Sequence, residues 1–236
     1  MSSDIIFTKE TLDSYFKELA KEYKRLNGNK MKAEIVLIGG AAILVNYGFR
    51  EMTYDIDAII RASWSMKEAI NKVSDKIGLP NGWLNSDFTK TKSYSPKLLQ
   101  YSKYYKCFGN VLEVRTIKGE YLIAMKLMSG RKYKNDISDV IGILNEQKNM
   151  GEPIAFEDIK SAVENLYNGW DKLPVESRKA IVEIMKSDQY EFLYSQYKTN
   201  EQLTKETLMD FEKKHVEITN ENNIKYWFAH GCWIYR

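Results

Sequence analysis

The chain is poor in the residues that staple small proteins or hold zinc. Its 236 residues include two cysteines, Cys107 and Cys232, and two histidines, His215 and His230. Two distant thiols with no CxxC argue against a disulfide framework and a Cys/His zinc site, and for a reducing compartment. No uncharged apolar run approaches the roughly 18 residues of a membrane span, so no membrane association is expected. The opening MSSDIIFTKET has neither the basic nor the apolar region of a signal peptide, which makes cytoplasm the expected location. Strong charge of one sign is missing too. A net charge of +3 with 28% charged residues neither requires nor excludes a nucleic-acid partner.

A 44% hydrophobic and 13% aromatic share specifies a folded globule. The length suits one large domain or two small ones. Leu12, Phe16, Leu19, Tyr23 and Leu26 recur at alternating steps of four and three, the spacing of an amphipathic helix. Thr8 is its expected N-cap, and Asn27-Gly28-Asn29 its end. Glu34–Ile38 reads as a buried strand, Gly40–Tyr47 as a short helix, and Thr53–Ile60 as a second strand with one face open to a cleft. Ser65-Met66-Lys67-Glu68 reads as a capping box for a helix to about Lys76. Residues 86–106 mix lysines with tyrosines, which fits a charged surface loop better than a base-stacking platform. Val111–Ile117 is a third strand, and helices follow over Glu120–Ser129 and from Asp136.

After Met150-Gly151-Glu152-Pro153 the pattern becomes helical. A stripe of Phe156, Ile159, Val163 and Leu166 is followed by a helix after Pro174 and by a capping box, Thr199-Asn200-Glu201-Gln202, for a last helix ending near Lys214. Lys225–Ala229 is the one strand-like run of the tail. The expected fold is α+β (α/β), with a mixed sheet flanked by helices over residues 1–148 and a mostly helical part over 149–236.

The chemistry concentrates in IVLIGGAAILVNYGFREMTYDIDAII, Ile35 to Ile60. Alternate strand residues share a face, so Asp55 and Asp57 project together while Ile56 and Ala58 enter the core. Like charges side by side repel, a cost that a divalent cation removes. Mg²⁺, or Mn²⁺, suits one or two carboxylates plus substrate phosphates. Gly39 and Gly40 end a strand and open a helix, where bare N–H groups and the helix dipole favour phosphate. Glu113 lies on a strand-like run, alternating with Leu112 and Val114. Lys126 is a point charge for triphosphate oxygens, and Asp136 and Asp139 are equally readable as site acids or as a helix start.

The pattern G-G-A…R-x-x-T-x-D-I-D, with Arg50 and Thr53 ahead of Asp55 and Asp57, resembles the nucleotidyltransferase signature of the DNA polymerase β-like superfamily. Within it, the chain resembles bacterial DUF6036 and AbiEii-type (abortive infection) nucleotidyltransferases. Many superfamily members carry Gly-Ser; here Ala41 follows Gly40, which leaves phosphate contact to backbone amides. The segment around Lys126, Arg131, Asp136 and Asp139 resembles the family pattern L-x-A-x-K…R…K-D-x-x-D. The resemblance implies catalytic and metal-binding roles for Asp55, Asp57 and Glu113. It implies nucleotide-binding roles for Gly39, Gly40, Thr53, Lys126 and Asp136. The implied reaction moves an NMP from an NTP, ATP among them, to an RNA 3′ end (such as that of tRNA) or a protein. The implied setting is a toxin–antitoxin or phage-defence system with an antitoxin partner. The competing expectation is a degenerate module of the same fold that binds nucleotide, RNA or protein without turnover.

Overall fold

The computed structural model describes residues 6–131 and 136–214. The strand expected at Lys225–Ala229, both histidines and Cys232 lie outside the described residues.

Helix α1 (Lys9–Asn27) buries Leu12, Phe16, Leu19, Ala20 and Tyr23, each large apolar side chain contributing about 1.5–3 kcal/mol on leaving water. Thr8 caps it: its hydroxyl accepts the Thr11 N–H at 3.3 Å, while its own N–H donates to Thr11 Oγ1 at 2.8 Å. Gly28, at φ +70°, ends it. There follow β1 (Ala33–Leu37), α2 (Gly39–Asn46), β2 (Ile56–Arg61), α3 (Ser65–Ile77), β3 (Leu84–Asn85), β4 (Ser102–Phe108) and β5 (Leu112–Ile117). The helices α4 (Gly119–Ser129), α5 (Asp136–Asn149), α6 (Phe156–Tyr167), α7 (Val175–Ser187) and α8 (Tyr190–Lys214) complete the described chain.

The five strands form one sheet in the order β3-β2-β1-β5-β4. Central β1 is antiparallel to β2 and parallel to β5. β2 pairs in parallel with β3, and β4 antiparallel with β5. One face is sealed: Ile35, Leu37, Ile56, Ala58, Leu112, Val114 and Thr116 are all fully buried. The other face carries Glu34, Asp57, Arg61, Glu113 and Arg115, none of them buried, among the buried Val36, Ile59 and Ile117. The mixed sheet flanked by helices is thus the α+β architecture expected.

Helices α6 and α7 pack on α4, and α8 packs on α5. Ile159, Val163, Leu166, Ile181 and Ile184 belong to the same buried cluster as the sheet. Among the described residues no helix is long and apolar enough to cross a membrane.

Local signals misplace four features. β2 begins at Ile56, and Thr53 instead forms an isolated antiparallel bridge with Phe7. The Lys/Tyr stretch contains β4, whose apolar alternation is hidden because only Ser102 and Phe108 of this edge strand are buried. Ser65 is not an N-cap: it is the first residue of α3, and its hydroxyl donates to Asn27 Oδ1 at 2.8 Å. Thr199 starts nothing either. It lies inside α8, where its hydroxyl returns to the Ser195 carbonyl at 2.9 Å.

Candidate active site

At the end of β1 the Ile38 N–H donates to the Asp57 carbonyl at 3.1 Å. This bond sets Asp57 beside the turn into α2. Gly39 takes φ +55°, a left-handed backbone that side-chain-bearing residues rarely adopt. A Cβ on Gly39 would stand 3.9 Å from Asp57 Oδ2. A Cβ on Gly40 would collide with Thr53 Oγ1 at 2.7 Å and with Arg50 Nη2 at 2.9 Å. Thr53, buried, donates its hydroxyl to the Asp55 carbonyl at 3.1 Å and reaches Asp55 Oδ1 at 3.4 Å. Gly39, Gly40, Thr53, Asp55 and Asp57 therefore meet around one turn, with Thr53 orienting Asp55 from beneath.

The turn also opens α2 with no side-chain cap. Ile38, the N-cap of α2, offers no side-chain hydrogen bond, and Ala42 N–H to Ile38 O, at 3.3 Å, is the first bond of the helix. The N–H groups of Gly39, Gly40 and Ala41 have no intrahelical acceptor, and both glycines are only half-buried. Such amides and the positive end of the helix favour negative charge.

A buried ionic network stands behind it. Lys126 Nζ lies 2.9 Å from Asp136 Oδ1 and 2.7 Å from Asp139 Oδ2. Arg131 closes on Asp136 at 3.1 Å. Arg50 Nη1 donates to both oxygens of Asp139, at 2.9 and 2.7 Å, and Nε to the Met52 carbonyl at 3.1 Å. Burial works against the charge on Lys126, yet Asp139 and Asp136 outweigh it and hold the ammonium above its usual range. Burial likewise opposes the Asp136 carboxylate, and Lys126 with Arg131 overrules it, keeping this acid well below the ordinary value. Lys126 and Asp136 thus face each other, with Asp136 fully buried.

The register carries Glu113 away from the acid pair. Asp57 is level with Ile38, whereas Glu113 is level with Glu34, four residues back along β1, or about 13 Å at ~3.3 Å per residue. Glu113 shares the face of Asp57 but is held by Arg115 Nη1 at 2.7 Å. The position on β5 level with Asp57 is Ile117. Among the described residues no three His, Cys, Asp or Glu side chains gather as a metal-binding group. The donor set that remains, two carboxylates beside an amide-lined turn, fits a cation sharing its coordination with substrate phosphates and water. It does not fit an all-protein cage.

Sequence reasoning picked out Arg50 and Asp139 only as parts of motifs and left their pairing unseen. Their mutual contact spans the α2–β2 loop and α5. Arg50 is held there because the neighbouring Phe49 ring packs on Tyr47 and Tyr194, with centroids 6.0 and 5.6 Å away. Glu201 of α8 was also missed: it accepts from the Ser138 N–H at 3.2 Å and from the Ser138 hydroxyl.

An open mixed sheet flanked by helices, with a diglycine turn beside Asp57 of the next strand, defines a nucleotidyltransferase-like α+β fold. Residues 14–201 match the family model described as a nucleotidyltransferase of unknown function (DUF6036), and the chain belongs to that family. No curated protein and no solved structure matches it.

Proposed function

We propose that the chain is a metal-dependent nucleotidyltransferase that moves an NMP from an NTP to an acceptor hydroxyl. In this reaction a bond forms from the acceptor oxygen to the α-phosphorus and the α–β bridging P–O bond breaks. Pyrophosphate leaves with the electron pair, and the acceptor proton passes to solvent. The observation that carries the reading is the close approach of Asp57 to the Gly39–Gly40 turn. It brings a carboxylate suited to a cation beside amides suited to a phosphate. Asp55 and Asp57 would hold Mg²⁺ or Mn²⁺, which would supply charge neutralisation at the phosphates. Gly39 and Gly40 bind the phosphate chain through backbone. Thr53 orients Asp55, while Lys126 and Asp136 keep the frame behind the turn in place. As acceptor we propose an RNA 3′ end, tRNA included, or a protein. As setting we propose a toxin–antitoxin or phage-defence system, in the cytoplasm, with an antitoxin as partner.

The test is incubation of the protein with each α-labelled NTP, Mg²⁺ or Mn²⁺, and total cellular RNA or protein. Label should enter one acceptor class and vanish with Asp57→Ala, the variant melting near the wild type. Transfer that survives Asp57→Ala overturns the assignment.

A second reading is favoured by one observation, the absence of a third carboxylate beside Asp55 and Asp57 among the described residues. In it the same turn binds nucleotide or RNA without turnover. Saturable NTP binding with no labelled product under any metal would select it.

A further inference from the structure

Arg50 reaches the diglycine turn from the network behind it. Its Nε and Nη1 are engaged by Met52 and Asp139, and among the described residues Nη2 makes no hydrogen bond. That same Nη2 stands 2.9 Å from where a Cβ on Gly40 would be, with Cζ at 3.2 Å. The guanidinium therefore lies close against Gly40, on the turn that opens α2.

Asp139 fixes this pose without neutralising it. Its Oδ2 is shared between Arg50 Nη1 and Lys126 Nζ, each at 2.7 Å, so one negative charge serves two cations. The Arg50 side chain keeps 19% of its surface exposed, enough to meet a ligand at the turn. A planar cation with a fixed, unoccupied N–H edge is the group that recognises phosphate oxygens best.

We propose that Arg50, oriented by Asp139, donates Nη2 to a phosphate oxygen of the polyphosphate chain bound on the Gly39–Gly40 turn. The proposal rests on the nucleotide site described above and adds to it a side-chain donor where the backbone was the sole one. Asp139 is then a positioning residue, and a side chain at Gly40 would crowd both Thr53 and Arg50.

Calorimetric titration of the full chain with inorganic tripolyphosphate, Mg²⁺–NTP and the matching nucleoside tests it. Arg50→Gln should weaken tripolyphosphate and NTP binding at least tenfold and leave nucleoside binding unchanged. Arg50→Lys should recover only part of the loss, because an ammonium lacks the fixed edge. As Arg50→Gln leaves Asp139 short of a partner, the double variant Arg50→Gln/Asp139→Asn keeps the test clean, since Lys126 retains Asp136. Equal loss of nucleoside and NTP binding would mean a structural role and overturn the proposal. Tripolyphosphate binding within twofold of wild type in the double variant would overturn it as well, leaving the nucleotide site intact. Wild-type protein that binds neither NTP nor tripolyphosphate overturns the site itself, and Arg50 with it.

Discussion

Glu201 of α8 accepts hydrogen bonds from both the backbone N–H and the hydroxyl of Ser138, the third residue of α5. Burial pushes this carboxyl above its ordinary 4.5, the Ser138 bonds opposing and Asp139 and Asp136 adding to the rise. A raised acid binds its proton more tightly in the folded chain than in the unfolded one. Its contribution is therefore complete below about pH 4.5 and lost as pH climbs through the raised value. Asp136 runs the opposite way. Its depressed value makes its contribution complete above the ordinary 3.8 and lost as pH falls below that. Denaturant midpoints measured from pH 3 to 8 should decline on both sides of a maximum. Glu201→Gln should flatten the alkaline limb and keep the acid one; an unchanged alkaline limb would show that Glu201 is ionised normally.

Lys126→Met should unfold the chain more than it alters any ligand affinity. The substitution takes one partner from each of two buried acids, Asp136 and Asp139, and breaking a buried pair costs about 3–5 kcal/mol. For a domain of this size that is a fall in Tm on the order of 6–20 °C. Thermal denaturation followed by circular dichroism checks it, and a variant melting with the wild type refutes the structural role.

Gly40→Ala should damage the turn by overpacking. Its Cβ meets the buried Thr53 hydroxyl at 2.7 Å as well as Arg50, and Thr53 has no room to retreat. The expected cost is about 1–3 kcal/mol, accompanied by loss of NTP-dependent labelling as Asp55 loses its orienting bond. Full labelling in Gly40→Ala would show that the turn tolerates a side chain and that Thr53 is dispensable.

Glu113→Gln should be nearly silent. The Glu113 side chain is 42% exposed and paired with Arg115, an arrangement worth about 0–1 kcal/mol. Labelling at wild-type rate is expected. Abolished transfer with normal melting would return Glu113 to the site despite its register.

What the chain order reveals and what it hides follows from range. Strand β1, the diglycine, α2 and β2 were legible because their periodicities and turn chemistry are local. Thr8 was legible as a cap for the same reason. The level of Glu113 was not legible, because strand alternation sets a face but not a level. Only the parallel pairing of β5 with β1 shows that Ile117, not Glu113, is level with Asp57, with the end of β1 between the two. Ser65 and Thr199 carry cap-like sequences, but Asn27 and the uninterrupted α8 decide their roles. The Arg50–Asp139 and Ser138–Glu201 contacts, 89 and 63 residues apart, join segments that no window compares.

The same separation gives the site a birth order. Arg50 leaves the ribosome 89 residues before Asp139, a delay of about 4–18 s at ~5–20 residues per second. During it the diglycine turn and both acids already exist, but the guanidinium above them has no anchor. A nascent or truncated chain ending before Asp136 would hold a turn without its clamp. On the proposed role of Arg50, α5 completes the site long after the signature residues have been made.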